Sequence, residues 1–371
     1  MTGVALVAAA ALTLSACATD AGADPNGSGI DASTATSLAD FGSFEALEEA
    51  AKAEGQLNVI ALPRDWANYG EILDLFAERY PEITINEASP DASSAEEIQA
   101  AENLRGQSTA PDVFDLGLAV ALSSTDYFAE YRVQRWDDIP DALKHPDGLF
   151  WADYGGYMAV GYDPDAVPAP TSLQDLLGPD YRGKVAINGD PTQAGAAFAA
   201  VGMATVQNGG TLDDFSAGID FFEELNAVGN FIKIDPTPAT VASGETPVVF
   251  DWDYLNAGYA ANLEGQRNWE VVVFDGIGYA GYYNQAINKD APNPAAARLW
   301  QEFLYSAEVQ NLWLKGGARP VLEQAMVDAG EIDEALYAAL PEPPAETVVP
   351  SAEQSAAAGT LLGQRWAAAV Q

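Results

Sequence analysis

The chain has 371 residues, more than one hydrophobic core usually serves, and its 48% apolar and 10% aromatic content supplies packed cores over most of that length. Sixteen basic against 55 acidic residues leave a net charge of −39, which argues against nucleic acid and anionic membrane surfaces as partners. One His and one Cys nearly exclude His-dependent triads, clustered His/Cys metal sites and structural disulfides, so neither a cofactor nor a metal is expected.

Residues 1–17, MTGVALVAAAALTLSAC, form an apolar run too short for an ordinary membrane span and ending in small residues, the pattern of an export signal. Leu14-Ser15-Ala16-Cys17 resembles the lipobox of bacterial lipoproteins, which implies lipidation of Cys17 and a membrane anchor. The alternative is ordinary cleavage near Ala16 with an incidental Cys. No Lys or Arg precedes the run, which leaves room for a start codon upstream. Residues 18–42 are poor in large apolar side chains and read as a flexible tether.

Beyond it, residues 44–54 read as a helix stopped by Gly55, and 57–62 as a buried strand ending at Pro63. Tyr69, Leu73, Phe76 and Tyr80 recur at helical spacing, and 83–86 alternates as a second strand. Helix 95–104 and strands 113–116 and 157–162 continue an α/β alternation. Pro-rich turns then lead to strand 184–187 and a second unit containing helices 194–206 and 212–225 and strands 246–250 and 271–274. The chain returns through strand 279–287, a helix from Pro294 capped by Asn293, another stopping at Gly316, and a last helix from Ser351. His145, in KHPDG, reads as an exposed turn residue.

The stretches YDPDAVPAPTSLQDLLGPDYRGKVAI, INGDPTQAGAAF, TPVVFDWDYLN and NKDAPNPAAARLWQEFLYSAEVQNLWLKGGARP, in that order, resemble the type II solute-binding proteins of bacterial ABC importers, the group serving polyamines, iron(III), thiamine and phosphonates. The resemblance implies an α/β fold of two lobes, each a mostly parallel sheet flanked by helices, joined by a hinge that the chain crosses twice. Lobe 1 would hold residues 43–163 and 278–371, and lobe 2 residues 164–277. It implies an exported, non-enzymatic, monomeric protein on the outer face of the cytoplasmic membrane. Its partners would be a small-molecule solute, an ABC permease and that permease's ATPase.

Solute would lie where loops at the carboxyl ends of strands converge. In PRDWANYG, Trp66 and Tyr69 offer flat surfaces, although Trp66 packed under the next helix is an alternative. In NGDPTQAG, Thr192, Gln193 and free amides could take an anionic group; Asp190 is either a binding residue or the cap of a helix with Pro191 at its first position. In VVFDWDYLN, Asp251, Trp252 and Tyr254 would meet the solute at the end of a strand, with Asp253 either joining them or capping the following helix. A carboxylate beside an indole face suits an organic cation. Tyr282 and Tyr283 are either stacking surfaces or buried sheet residues. The leading expectation is therefore a cation such as a polyamine or a thiamine-like compound. The alternatives are a phosphonate or phosphate held by Arg64 and the amides near Thr192, iron(III), or a secreted glycoside hydrolase using Asp251 and Asp253.

Overall fold

Eleven strands carry the architecture among residues 31–341 and 343–371, which the computed structural model describes. They are β1 (Gln56–Ile60), β2 (Thr84–Ala88), β3 (Val113–Gly117), β4 (Phe128–Ala129), β5 (Trp151–Tyr162), β6 (Val185–Ile187), β7 (Val248–Trp252), β8 (Glu270–Val272), β9 (Ile277–Asn288), β10 (Arg319–Pro320) and β11 (Glu346–Val348). The pair β1–β2 is parallel, and the other nine form one sheet with the path β11-β9-β5-β7-β6.

Two twelve-residue strands make that sheet serve two halves of the molecule. β5 pairs antiparallel with β9 along residues 151–157 and with β7 along 158–162. β9 meets β3 and β4 at its far end and β11 at its near end. All of β5 is buried, and small residues let it pass between the halves. Its ladder with β9 is irregular between Ala152 and Gly155. Beside that point a Cβ on Gly281 would penetrate the ring of Trp252, so only glycine lets β7 lie so close to the crossing.

The local signals act as expected at several ends. Ser43 caps helix Phe44–Glu54, and Gly55 stops it in the left-handed conformation. Asn293 with Pro294 starts helix Pro294–Leu304, Gly316 ends helix Ala307–Lys315, and Ser351 starts helix Ala352–Ala369 with a capping box completed by Gln354.

One expectation about the chain's outer segments needs correction. Cys17, the export signal and residues 18–30 lie outside the described residues. The rest of the expected tether, 31–42, is packed: Ala35, Leu38 and Phe41 are buried, and the buried Arg298 donates to the Ala35 carbonyl at 2.8 Å and the Ser33 carbonyl at 3.2 Å. Three buried apolar side chains and one guanidinium fix a segment that its composition describes as loose. The final helix, expected with residues 43–163, packs on helix Leu118–Ser123 there and also docks on the other half. Trp366 packs on Phe222 and Phe231, with ring centroids 5.5 and 6.3 Å away, and Asn226 donates to the Gln371 carbonyl at 3.1 Å. Those partners lie on or just after helix Ser216–Ala227, in the half that contains β6 and β7.

Candidate functional site

A cleft of about 500 Å³ lies between the two halves. One wall comes from loops that follow β1 and β2 and from the end of β3; the other comes from the loop after β6, the segment 235–238 and helix Asp253–Asn262. The halves nearly touch at Gly117 and Gly195, where a Cβ on Gly117 would stand 2.9 Å from the Gly195 Cα. Backbone strain is concentrated on this rim. Among the described residues, the non-glycine positions in the left-handed region are Ala61, Ala67, Asn68 and Ser89, all in the loops after β1 and β2.

The charge of the cleft is one-sided. Asp65, Asp91, Glu96, Glu97 and Asp115 line the first wall, and Asp190 and Asp235 the second. None of the described lining residues is Lys, Arg or His. Arg64, the cation expected to hold an anionic solute, turns away to form a fork on Glu87 at 3.0 Å and a bond to Asp74 at 2.9 Å. The first helix terminus is closed as well: Glu96 accepts from the Ser93 N–H at 2.8 Å, so helix Ser94–Asn103 carries its own anion.

Asp115 is the centre of the first wall. Its Oδ2 accepts from Tyr69 Oη at 2.9 Å and Tyr154 Oη at 3.0 Å, while Oδ1 is buried with no partner among the described residues. Burial pushes the carboxyl up to about 7, although the two phenol donors pull it down. Behind it, the buried Glu97 accepts from the Asp115 N–H at 3.0 Å; burial and the Asp115 charge both hold that carboxyl well above the usual range. Gln285 supports the arrangement from below by donating to Tyr69 Oη at 3.1 Å and to Asp153 at 2.8 Å.

Aromatic rings form the floor. Trp66 stands edge-on to Tyr283 with centroids 5.6 Å apart, and its indole N–H donates to Tyr154 Oη at 2.8 Å. Tyr154 in turn stacks on Tyr283 at 5.8 Å. Across the cleft, Tyr259 presents its phenol, whose pKa is raised by burial and by Asp251 and Asp65.

Of the residues expected at the site, Trp66, Asp190, Gln193 and Tyr283 line this cleft. Asp190 is not a helix cap, because the helix begins at Gly195; its Oδ1 closes a turn by accepting from the Thr192 N–H and Oγ1 at 2.8 and 2.7 Å. Thr192 and Tyr282 instead line a second cavity. Tyr69 is fully buried behind the wall, where it orients Asp115.

The stretch VVFDWDYLN is likewise structural. β7 has β5 on one side and β6 on the other, and helices cover its faces, so Asp251, Trp252, Asp253 and Tyr254 are all buried. Asp251, pushed up to about 7 by burial, accepts from Asn188 Nδ2 at 2.9 Å and thereby sets the position of a cleft residue. Asp253 opens its helix and accepts from the Tyr157 and Tyr254 N–H groups, both at 3.0 Å. Tyr254 stacks behind Trp252 at 6.3 Å. Sequence reasoning missed Asp115, Glu97, Asn188, Asp235 and Tyr259. In DVFDLG the run of apolar neighbours marks a buried strand and gives no sign that its second Asp borders a cleft.

A model of the family described as bacterial extracellular solute-binding protein matches residues 110–339. Among solved structures, the fold is similar to the periplasmic binding protein AfuA from Actinobacillus pleuropneumoniae with exogenous fructose-6-phosphate bound, at 18% identity and a TM-score of 0.66 over 85% of this chain and 98% of that one. An ABC transporter substrate-binding protein from Bradyrhizobium japonicum aligns at 19% identity and 0.65, over 85% and 100%. The ferric binding protein from Campylobacter jejuni aligns at 15% and 0.61, over 84% and 99%. No curated protein sequence matches the chain.

Proposed function

Because the chain belongs to the bacterial extracellular solute-binding proteins, which capture small molecules for ABC importers, we propose that its cleft takes a small organic cation, of the polyamine or thiamine-like class, and presents it to a permease. The observation that carries this reading is the lining itself: seven carboxylates, no Lys, Arg or His among the described residues, and rings at the floor. Ammonium groups pair with acids and pack against indole and phenol faces, whereas a phosphate in this cleft would meet unopposed negative charge. Asp115, which lines the cleft, is the anchor, and Trp66 and Tyr283 are the packing surface.

A second observation favours a variant of this reading. Helix Gly195–Gln207 has no side-chain cap, and its first residues line the cleft. A solute carrying an anionic group some distance from its amine would use those amides together with the acids. Iron(III) has less support, since no group of three or more His, Cys, Asp or Glu among the described residues is placed to hold a metal ion. A glycosidase would need Asp251 and Asp253 at the cleft, and both are buried away from it.

Titration calorimetry against putrescine, spermidine, thiamine, phosphate and an aminoalkylphosphonate tests the reading. Heat with cations and none with phosphate is expected; phosphate binding without cation binding refutes it. Lipid anchoring at Cys17 belongs to the same reading, and Cys17→Ala is expected to move the protein from the membrane fraction to the soluble one.

A further inference from the structure

Among the described residues, two phenols are all that holds the charge of the cleft residue Asp115. Its Oδ2 takes the hydrogens of Tyr69 Oη and Tyr154 Oη, while Oδ1 is buried with no partner among those residues. The other ionisable groups that feel its charge are Glu97 from helix Ser94–Asn103, Asp153 from β5, Tyr283 from β9, Tyr254 from helix Asp253–Asn262, and Tyr305 just after helix Pro294–Leu304. None of them is a cation, so none offsets the cost of burying a negative charge. How firmly Asp115 stays ionised therefore depends on where two hydroxyl hydrogens point.

A phenol has one hydrogen and can turn it away, but both of these oxygens are engaged by donors that remove this freedom. Trp66 Nε1 reaches Tyr154 Oη at 2.8 Å. An indole nitrogen can only donate, so Tyr154 accepts there and directs its own hydrogen to Asp115. Gln285 Nε2 reaches Tyr69 Oη at 3.1 Å and does the same on the other side. A hydroxyl that accepts a hydrogen bond is also a stronger donor. The loop fixes the Trp66 end: Ala67 and Asn68, the next two residues, are left-handed, and Asn68 Nδ2 donates to the Leu312 carbonyl at 3.1 Å.

We propose that Trp66 is a positioning residue for the anchor as well as a packing surface: its N–H fixes the Tyr154 hydrogen on Asp115 and so keeps that side chain a carboxylate ready for a cation. The proposal rests on the reading of Asp115 as the solute anchor. It ties the residue that packs against the solute to the one that pairs with its charge.

The test uses the ligand-free chain labelled with carbon-13 at its Asp carboxyls, the Asp115 signal being the one missing from D115N. Y154F should raise the Asp115 titration midpoint by about one pH unit, since one of two donors to the charged form is gone. W66F keeps a ring at the position but lacks the N–H, and should raise the midpoint by roughly a few tenths of a unit. The double variant W66F/Y154F should match Y154F, because Trp66 acts only through that phenol. Calorimetry with putrescine, spermidine or thiamine, whichever binds, should show Y154F weakened about tenfold at pH 6 and about twofold at pH 8, a split that a purely structural loss would not produce. An unchanged midpoint in either single variant, or additive shifts in the double variant, overturns the proposal. Trp66 is only half-buried, so W66F decides the matter even if Y154F fails to fold. Should the wild type bind none of the three cations, the solute reading fails, while the carboxyl titrations still decide the role of Trp66.

Discussion

Replacing Asp115 by Asn separates the charge of the cleft from its shape. The amide oxygen can accept from Tyr69 and Tyr154 as Oδ2 does at 2.9 and 3.0 Å, and the amide nitrogen takes the place of Oδ1, the oxygen without a partner. The wall therefore keeps its geometry and loses one anion. Truncating one member of a buried, hydrogen-bonded charge pair costs about 2–5 kcal/mol of binding. Burial holds Asp115 near 7, so at neutral pH part of that is already spent on ionising the carboxyl. The lower half of the range applies, and cation affinity should fall by roughly 30- to 300-fold, at about 1.4 kcal/mol per tenfold. Calorimetry with the best-binding cation at pH 8 and pH 6 is the assay. Wild-type affinity should rise with pH through about 7 as Asp115 ionises, with a proton released on binding at pH 6, and D115N should lose that dependence. Melting temperature should be unchanged or higher in D115N, because a desolvated acid has gone. A variant that binds the cation as tightly as the wild type at both pH values would refute Asp115 as the anchor.

Three further outcomes follow from the same structure. Gly281→Ala drives a methyl group into the Trp252 ring beside the crossing strands and should cost about 1–3 kcal/mol, read in urea melts; an unchanged midpoint would mean that β7 can move aside. Asn188→Ala leaves Asp251 Oδ2 without its side-chain donor and should lower stability by about 1–3 kcal/mol together with solute affinity, whereas loss of affinity alone would make Asn188 a direct contact only. Glu54, Asp112 and Asp251 are each pushed up to about 7 chiefly by burial, above the range near 4 of an unfolded chain. The folded state thus holds protons that the unfolded state releases, so stability should fall as pH rises from about 4 through 7, with a higher melting temperature at pH 5.5 than at pH 8.

The sequence by itself determined most of the longer helices and strands, since apolar period, Ser and Asn caps and Gly stops act over a few residues; Ser43, Gly55, Asn293 and Gly316 stand where those rules put them. It determined the acidity of the surface for the same reason, and it carried the family in the order of its motifs. Only the tertiary structure decided which acids face the solute. Asp251 and Trp252 look exposed to a reader of VVFDWDYLN because the strand ends there, but strands on both sides and helices on both faces bury them. Asp115 looks like an ordinary buried-strand residue, yet β3 runs to where the two halves meet, and the residue borders the cleft with one buried oxygen left without a partner among the described residues. Burial and hydrogen-bond satisfaction depend on residues distant in the chain, such as Tyr69 and Tyr154 for Asp115 and Asn188 for Asp251, and no local pattern encodes them.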